Sequence, residues 1–269
     1  MSRARQNLSL CLYVSVACGF LALAAAAPAA AQTPAPRPAG TEFLSRFDFA
    51  FGLEHLVSDD QRFVWDARFG GELDLVDYGR GRLTFVAQYE TVLGSEYQPF
   101  DPLQSIYTIE GALSARTGPV EVAGVLHHVS RHLGDRSKRD PIDRNMVGGR
   151  LLGGAVTGRT DWRGRVDLRG AVQKTFVDYR WEIDGDVRAR VRLSPRAAVI
   201  TGGGVRVLGV DGSRNRGTQY GGRGEGGVRL EGPNAAVELF VAAERRIDPY
   251  LLEFSTATWL TAGFRLVSR

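Results

Sequence analysis

The part of the sequence richest in reactive side chains is the stretch of residues 126–135. Three of the four histidines of the chain, His127, His128 and His132, lie there, and Ser130 stands between the last two. Side chains two residues apart on a β-strand face the same side. His128, Ser130 and His132 would then form one row. In such a row a histidine can activate a serine hydroxyl for attack on an ester.

A third group for this chemistry is found on the next segment of the chain. Asp143 and Asn145 share the parity of Val147, an apolar residue that marks one face of the predicted strand. A hairpin would bring this pair next to Ser130 and His128. Because a carboxylate or an amide can orient a catalytic histidine, the three elements of an activated hydroxyl come together on two neighbouring strands.

The elements that must position these side chains are predicted from alternation. Between residues 179 and 193, for example, Trp181 and Ile183 alternate with Glu182 and Asp184. Repeated along the chain, this period predicts an all-β fold of about twelve strands, with ten or fourteen as alternatives. The predicted strands span residues 44–56, 61–76, 81–93, 104–116, 119–132, 143–157, 162–174, 179–193, 196–208, 218–231, 234–245 and 253–268.

These strands are too long and too poor in large aliphatic residues for a packed sandwich. Their apolar face is rich in glycine and alanine, and tight turns alternate with longer polar connections. Both features are typical of strands that cross a bilayer at a tilt, with short periplasmic turns and longer external loops. The sequence therefore predicts a transmembrane antiparallel up-and-down β-barrel in the outer membrane of a Gram-negative cell envelope, with both termini periplasmic.

The composition excludes several other classes. Hydrophobic residues make up 43% of the chain, charged residues make up 24%, and the mean hydropathy is −0.15. Beyond residue 31 no apolar run reaches the roughly 18 to 20 residues of a spanning helix, which excludes a helical membrane bundle. The net charge of +4 is small for 269 residues, so neither disorder nor nucleic-acid binding is expected.

Three segments are predicted along the chain. Residues 1–31 have the features of a signal peptide, with two arginines before an apolar stretch and three alanines at the end. An uncleaved anchor helix is the alternative. Residues 32–41 form a proline-rich periplasmic tether, and residues 42–269 form the barrel. We expect Sec export and cleavage after residue 31. Because both cysteines lie in the signal peptide, the mature chain would contain no disulfide.

Parity places many charged residues inside the predicted barrel. In so narrow a lumen we expect opposite charges to pair, because an unpaired buried charge is strongly destabilising. A substrate pathway through them is the alternative. The predicted lumenal charges are Asp48, Glu54, Arg68, Glu72, Glu90, Glu110, Arg116, Glu121, Arg188, Arg190, Arg223, Glu225, Arg229 and Glu238.

The same parity places the histidine row on the lipid side. Leu126 marks the even positions of its strand as lipid-facing, and Glu121 marks the odd positions as lumenal. His128, Ser130 and His132 therefore point outward at the external rim. Polar side chains on that face invite a functional explanation.

This hairpin resembles outer-membrane phospholipase A. That family carries an H-x-S motif followed by Asn-Arg on its lipid-exposed rim, and here His128 and Ser130 are followed by Asp143 and Arg144. The resemblance implies a lipid acyl-ester hydrolase with Ser130 as nucleophile, His128 as general base and Asp143 as orienting residue. Deacylases of lipid A on an eight-stranded barrel use a similar H-x-S motif.

The resemblance has further implications. It implies a calcium ion, for which Asp135 and Asp140 are the available carboxylates, and a homodimer. The string of residues 128–135 is also similar to the H-x-S-S-H-x-G-D-E signature of an outer-membrane family of unknown function.

Three other interpretations of the hairpin stay open. Its histidines and serine can belong to an interfacial belt, or His128, His132 and Asp135 can bind a metal ion. The barrel can also be a non-enzymatic scaffold or a small channel. In every case the basic residues of the hairpin are expected to bind the phosphates of lipopolysaccharide, namely Arg131, Arg136, Lys138, Arg139 and Arg144.

Overall fold

The alternating segments form twelve antiparallel strands. The computed structural model describes residues 40–134 and 142–268. The strands are β1 (Glu42–Val57), β2 (Trp65–Asp77), β3 (Arg82–Gly94), β4 (Asp101–Thr117), β5 (Val120–Leu133), β6 (Ile142–Thr157), β7 (Thr160–Thr175), β8 (Tyr179–Ser194), β9 (Ala197–Val210), β10 (Gln219–Glu231), β11 (Ala235–Ile247) and β12 (Thr256–Ser268).

Each strand pairs with its neighbours in the chain, and β12 returns to pair with β1, so the sheet is a closed barrel. The closing register runs from Ala50 opposite Val267 to Val57 opposite Leu260. The prediction of an up-and-down barrel with twelve strands is thus confirmed. The described residues contain no helix of the length and apolar character needed to cross a membrane.

The two faces of the wall differ as the alternation predicts. On β5, Val122 and Leu126 face outward with 46% and 66% of their surface exposed, whereas Ala123 and Val125 between them are buried. Every strand exposes large apolar side chains in this way. On β10 they lie near the two ends, because the middle of that strand is rich in glycine. An apolar exterior of this kind matches a hydrocarbon environment.

The two ends of the barrel have different connections. Gly118 and Gly158 open two of the tight turns with φ values of 60° and 59°, a region that glycine adopts without a steric penalty. The opposite end carries the longer connections, such as residues 211–218 and 248–255. Short periplasmic turns and longer external loops place β5's last residues, and with them Ser130, at the external rim.

The lumen is filled with ion pairs. Glu110 receives Arg150 at 2.6 Å and Arg169 at 3.5 Å, and Asp167 binds Arg150 at 2.7 Å. All fourteen charges predicted to be lumenal take part in such pairs. The expectation that opposite charges pair inside the barrel is therefore confirmed.

Apolar side chains pack together at the external mouth. Leu56, Phe63, Val92, Leu103 and Trp259 form a buried cluster there. Phe63 was predicted within the second strand. That strand begins only at Trp65, and the phenylalanine instead folds into the mouth with 4% of its surface exposed. A cavity of about 280 Å³ in the lumen is bordered by Glu54, Arg68, Glu90 and Arg223.

Two external loops are tied together over the mouth. Arg62 in the first loop binds Glu253 in the last loop at 2.6 Å and Asp60 at 2.8 Å. The hydrogen bonds from Arg62 lower the pKa of Asp60, so this pair persists into the acidic range. Arg131, from inside β5, donates to the backbone oxygen of Asp248 at 2.8 Å and so attaches the last loop to the wall.

We predict that the barrel conducts poorly. We expect a lumen occupied by paired charges, with an apolar cluster at its mouth, to provide no continuous water-filled path. In planar bilayers the wild-type protein should show no sustained current steps. A variant with residues 249–252 replaced by glycine and serine should conduct more, because it lacks part of the mouth closure. Stable wild-type steps would contradict the closed lumen.

Loss of one charge from the lumenal network should destabilise the barrel. Glu110→Gln removes the carboxylate that Arg150 and Arg169 share, leaving Asp167 as partner of Arg150 and Glu182 and Asp184 as partners of Arg169. Because the removed charge is buried, the free energy of unfolding should fall by about 3 kcal/mol. Asp186→Asn is the matched control, since Asp186 and its partner Arg165 are 50% and 42% exposed and the expected loss is about 1 kcal/mol or less. Urea unfolding in detergent micelles measures both. Equal losses would show that burial does not set the strength of these pairs.

Candidate functional site

The histidine row lies on the outer face of β5, as the parity predicts. No register shift interrupts β5 in its pairing with either neighbour, so the outward parity of Leu126 continues through His128, Ser130 and His132. All three side chains are half-buried. His127, at the opposite parity, points into the lumen and contacts Glu110 through its Nδ1 atom at 2.9 Å.

His128 is held by an amide from the next strand. It lies directly opposite Asn145 of β6, and its Nδ1 atom is 2.7 Å from the Asn145 Oδ1 atom. The Asn145 Nδ2 atom donates to the Oε1 atom of Gln173 on β7 at 3.1 Å. With the amide oxygen turned to the ring, His128 donates from Nδ1. This assignment leaves the Nε2 lone pair available as a base.

Ser130 sits at the centre of the row. Its Oγ atom is 3.3 Å from the Nε2 atom of His132, and its neighbours across the sheet are Tyr107 on β4 and Asp143 on β6. Among the described residues no hydrogen bond joins Ser130 to His128. In this structure Ser130 is therefore hydrogen-bonded to His132 and not to His128.

Among the described residues no hydrogen bond joins Asp143 to His128. Asp143 lies opposite Ser130, one diagonal step from His128. Its buried Oδ1 atom has no hydrogen-bond partner among the described residues. The hairpin thus brings the predicted groups together on one face, but the side chain that orients His128 is Asn145.

Gln173 reaches the outer face because of a β-bulge. The register of β6 and β7 shifts at Asn145, so that Gln173 pairs with Asn145 while Gly170 pairs with Val147. Val172 is the extra residue, and it is 64% exposed. Strict alternation from Leu168 would turn Gln173 inward. For this reason the sequence pattern did not identify it, and bulges commonly re-aim a side chain beside a functional site.

Aromatic residues on the other side of Ser130 were also missed. Tyr107 contacts His132 edge to face with ring centroids 5.4 Å apart, and Tyr89 and Phe69 continue the series at 5.0 and 4.9 Å. Their parity could be read from the sequence. Their position beside Ser130 could not, because it depends on the pairing register of four strands.

The prediction that Arg131 and Arg144 bind lipopolysaccharide from the outer surface is wrong. Both have lumenal parity and are buried, with 8% and 7% of their surface exposed. Arg131 donates to the Oε1 atom of Gln104 at 3.2 Å, and Arg144 lies over the Tyr179 ring, 5.3 Å from its centroid. Arg136, Lys138 and Arg139 lie outside the described residues.

The metal ligands suggested by the resemblance also lie outside the described residues, since Asp135 and Asp140 belong to the β5–β6 loop. Within residues 40–134 and 142–268, no three histidine, cysteine, aspartate or glutamate side chains are grouped so that they could hold a metal ion.

No protein-family model matches the sequence, and the comparison with curated proteins gave no significant match. Similar solved structures include Escherichia coli outer membrane phospholipase A, as an asparagine-to-alanine active-site mutant, with a TM-score of 0.52 and 12% identity over 84% of this chain and 91% of that chain. The calcium-bound dimer of the Salmonella typhi phospholipase has a TM-score of 0.51 and 12% identity over 83% and 90%. The KdgM porin, in complex with oligogalacturonate, has a TM-score of 0.45 and 7% identity over 81% and 97%.

At these identities the likeness is one of fold. The chain has the fold of bacterial outer-membrane β-barrels, and this supports a location in the outer membrane.

The contact between His128 and Asn145 predicts a defined tautomer. The chain contains four histidines, so their ring nitrogens can be observed by NMR in protein labelled with ¹⁵N-histidine. In the spectrum His128 should carry its proton on Nδ1. Asn145→Ala should remove this preference, whereas Gln219→Ala, which removes a side-chain amide from β10, should leave it unchanged. An Nε2-protonated His128 in the wild type would contradict the orientation described here.

Proposed function

We propose that the outer face of the β5–β6 hairpin is a serine-type acyl-ester hydrolase site that acts on outer-leaflet lipid. Ser130 is the nucleophile, His128 is the general base and Asn145 orients the base. The observation that carries the proposal is the 2.7 Å contact between His128 Nδ1 and Asn145 Oδ1, on the lipid-facing wall and on the same strand face as Ser130.

The location of these groups favours a function over a passive rim. Polar side chains on the lipid-facing wall are unfavourable to an extent that depends on depth. Here a continuous hydrogen-bonded series, His128 to Asn145 to Gln173, extends over three strands, and a bulge is needed to complete it. An interfacial belt of amphipathic residues requires no such series.

The reaction follows from the groups present. His128 Nε2 accepts the Ser130 hydroxyl proton while Oγ attacks the ester carbonyl carbon. Collapse of the tetrahedral intermediate breaks the bond to the alcohol oxygen, which takes the proton from His128. Water then attacks the acyl-serine by the same route, and the products are a fatty acid and a lyso-lipid or its equivalent. A rotation of Ser130 Oγ from His132 towards His128 precedes the first step.

Asp143 and His132 have supporting roles in this proposal. Asp143, opposite Ser130, places a carboxylate near the imidazolium that forms on His128, and opposite charges attract at this range. His132 holds the Ser130 hydroxyl in the resting enzyme at 3.3 Å. Asp143 thus stabilises charge, while the orienting contact belongs to Asn145.

The similar structures support this reaction class. Those with TM-scores of 0.52 and 0.51 are phospholipases, and one of them is a mutant in which an active-site asparagine is replaced by alanine. In this chain Asn145 is the asparagine that contacts the proposed general base, His128. The channel alternative is not favoured, because the lumen is filled by ion pairs and its mouth holds an apolar cluster.

The test is acyl release from phospholipid and from lipid A in detergent micelles. Ser130→Ala should reduce the rate by about a thousand-fold or more, and His128→Ala should reduce it by roughly 10²–10⁴. Asn145→Ala should lower kcat more than Asp143→Ala does, since Asn145 makes the orienting contact. Ser194→Ala, at a tight turn far from the site, is the control.

Activity that persists in Ser130→Ala would overturn the proposal. Assays with added calcium and with chelator test the ion implied by the resemblance, and sedimentation of the micellar protein tests the homodimer. Neither result changes the role proposed for Ser130, because Ser130, His128 and Asn145 all lie on β5 and β6 of one barrel.

A further inference from the structure

The outer wall around Ser130 is divided into an apolar side and a polar side. On one side, Phe51, Phe69, Tyr89 and Tyr107 lie directly opposite one another on β1, β2, β3 and β4, and Tyr107 lies opposite Ser130. We call these four residues the aromatic row. At about 4.8 Å per strand, the row extends roughly 19 Å from the nucleophile along the wall.

From Phe69 to Tyr107 the aromatic row is a continuous surface. Ring centroids are 4.9 Å apart between Phe69 and Tyr89 and 5.0 Å apart between Tyr89 and Tyr107. The Tyr89 hydroxyl is 2.8 Å from the Ser105 Oγ atom, which fixes its ring. Phe69 and Tyr107 expose 48% and 42% of their surface. The row therefore offers a preformed apolar track to a molecule in the lipid phase.

The middle of the aromatic row, at Phe69 and Tyr89, lies deeper in the membrane than Ser130. Tyr89 is seven residues from the periplasmic start of β3 at Arg82, whereas Ser130 is ten residues from the start of β5 at Val120. Because barrel strands are tilted, a row of paired residues crosses the membrane obliquely. The row is thus deeper at β3 than at Ser130, by roughly 7 Å at the usual rise and tilt of a strand.

The other side of Ser130 carries hydrogen-bonding groups at a higher level. Asp143, Asn145, Gln173 and Thr175 occupy the outward positions of β6 and β7 next to it. Asp143 is fourteen residues from the periplasmic end of β6 at Thr157, and therefore closer to the external surface than Ser130. The site has an apolar, deep side and a polar, shallow side.

We infer that this division orients the substrate. The scissile ester lies at Ser130, the acyl chain lies along the aromatic row over β4, β3 and β2, and the alcohol part of the lipid lies over the polar side chains of β6 and β7. The inference rests on the proposed hydrolysis at Ser130. It adds that the substrate is an ester with a long acyl chain, bound by the wall of one barrel, and it assigns Tyr89 and Phe69 to chain-length specificity.

The first test compares esters of long-chain and short-chain acids. Tyr89→Ala and Phe69→Ala should each raise the KM for the long-chain ester about ten-fold, as expected for the loss of one buried aromatic contact, with kcat unchanged. The short-chain ester, which does not reach these residues, should be hydrolysed as by the wild type. Tyr220→Ala is the matched control, since Tyr220 is an aromatic residue on β10 with 58% of its surface exposed. An equal KM change for both esters, or the same change in Tyr220→Ala, would overturn the inference.

The second test does not depend on catalysis. In Ser130→Ala protein, a phospholipid with a diazirine at the end of its acyl chain, present at low mole fraction in micelles, should crosslink preferentially to peptides of β2 and β3. Tyr89→Ala should remove the preference. Crosslinks spread evenly over the twelve strands would contradict the track even if the wild type hydrolyses lipid. A wild type without hydrolase activity that still shows the preference would overturn the proposed function and leave a lipid-binding track.

Discussion

The requirement that every backbone polar group find a partner inside the protein governs this structure. An unpaired N–H or C=O group in hydrocarbon is destabilising by several kcal/mol, so a sheet that crosses the membrane must close on itself. The pairing of β1 with β12 meets this requirement. Once the sheet is closed, each strand has one face in lipid and one face in the lumen. The apolar residues of the alternating sequence then face the lipid, and the polar residues face the lumen.

The charges of the lumen follow from closure. Inside a barrel of twelve strands, arginines and carboxylates from strands that are not neighbours come within contact distance, as Arg223 of β10 does with Glu54 of β1 at 2.9 Å. Such pairs replace the hydration that the interior lacks. The network also supports the outer site from behind, since His127, Glu110 and Arg169 hold the inner face of the same β5 segment whose outer face carries His128 and Ser130.

The candidate site combines features that the sequence predicted with features that it did not. The outward position of His128, Ser130 and His132 was predicted, because parity is a property of one strand. The identity of the orienting residue was not. The pair Asp143 and Asn145 was recognised, but only the pairing of β5 with β6 shows that Asn145 stands opposite His128 and Asp143 opposite Ser130.

The sequence alone determined the all-β class and a barrel of about twelve strands, because these depend on a local period of two and on turn residues such as Gly118 and Gly158. It also determined the face of each side chain, except where a bulge shifts the alternation, as before Gln173. The predicted strand bounds differ from the observed ones by up to three residues, as at the starts of β4 and β12, and by four at the start of β2, where Phe63 folds inward. The tertiary structure alone decided which residues meet across strands. Register and bulges depend on pairing between distant segments, so the contact of Asn145 with Gln173 and the alignment of the aromatic row with Ser130 exist only once the barrel has closed.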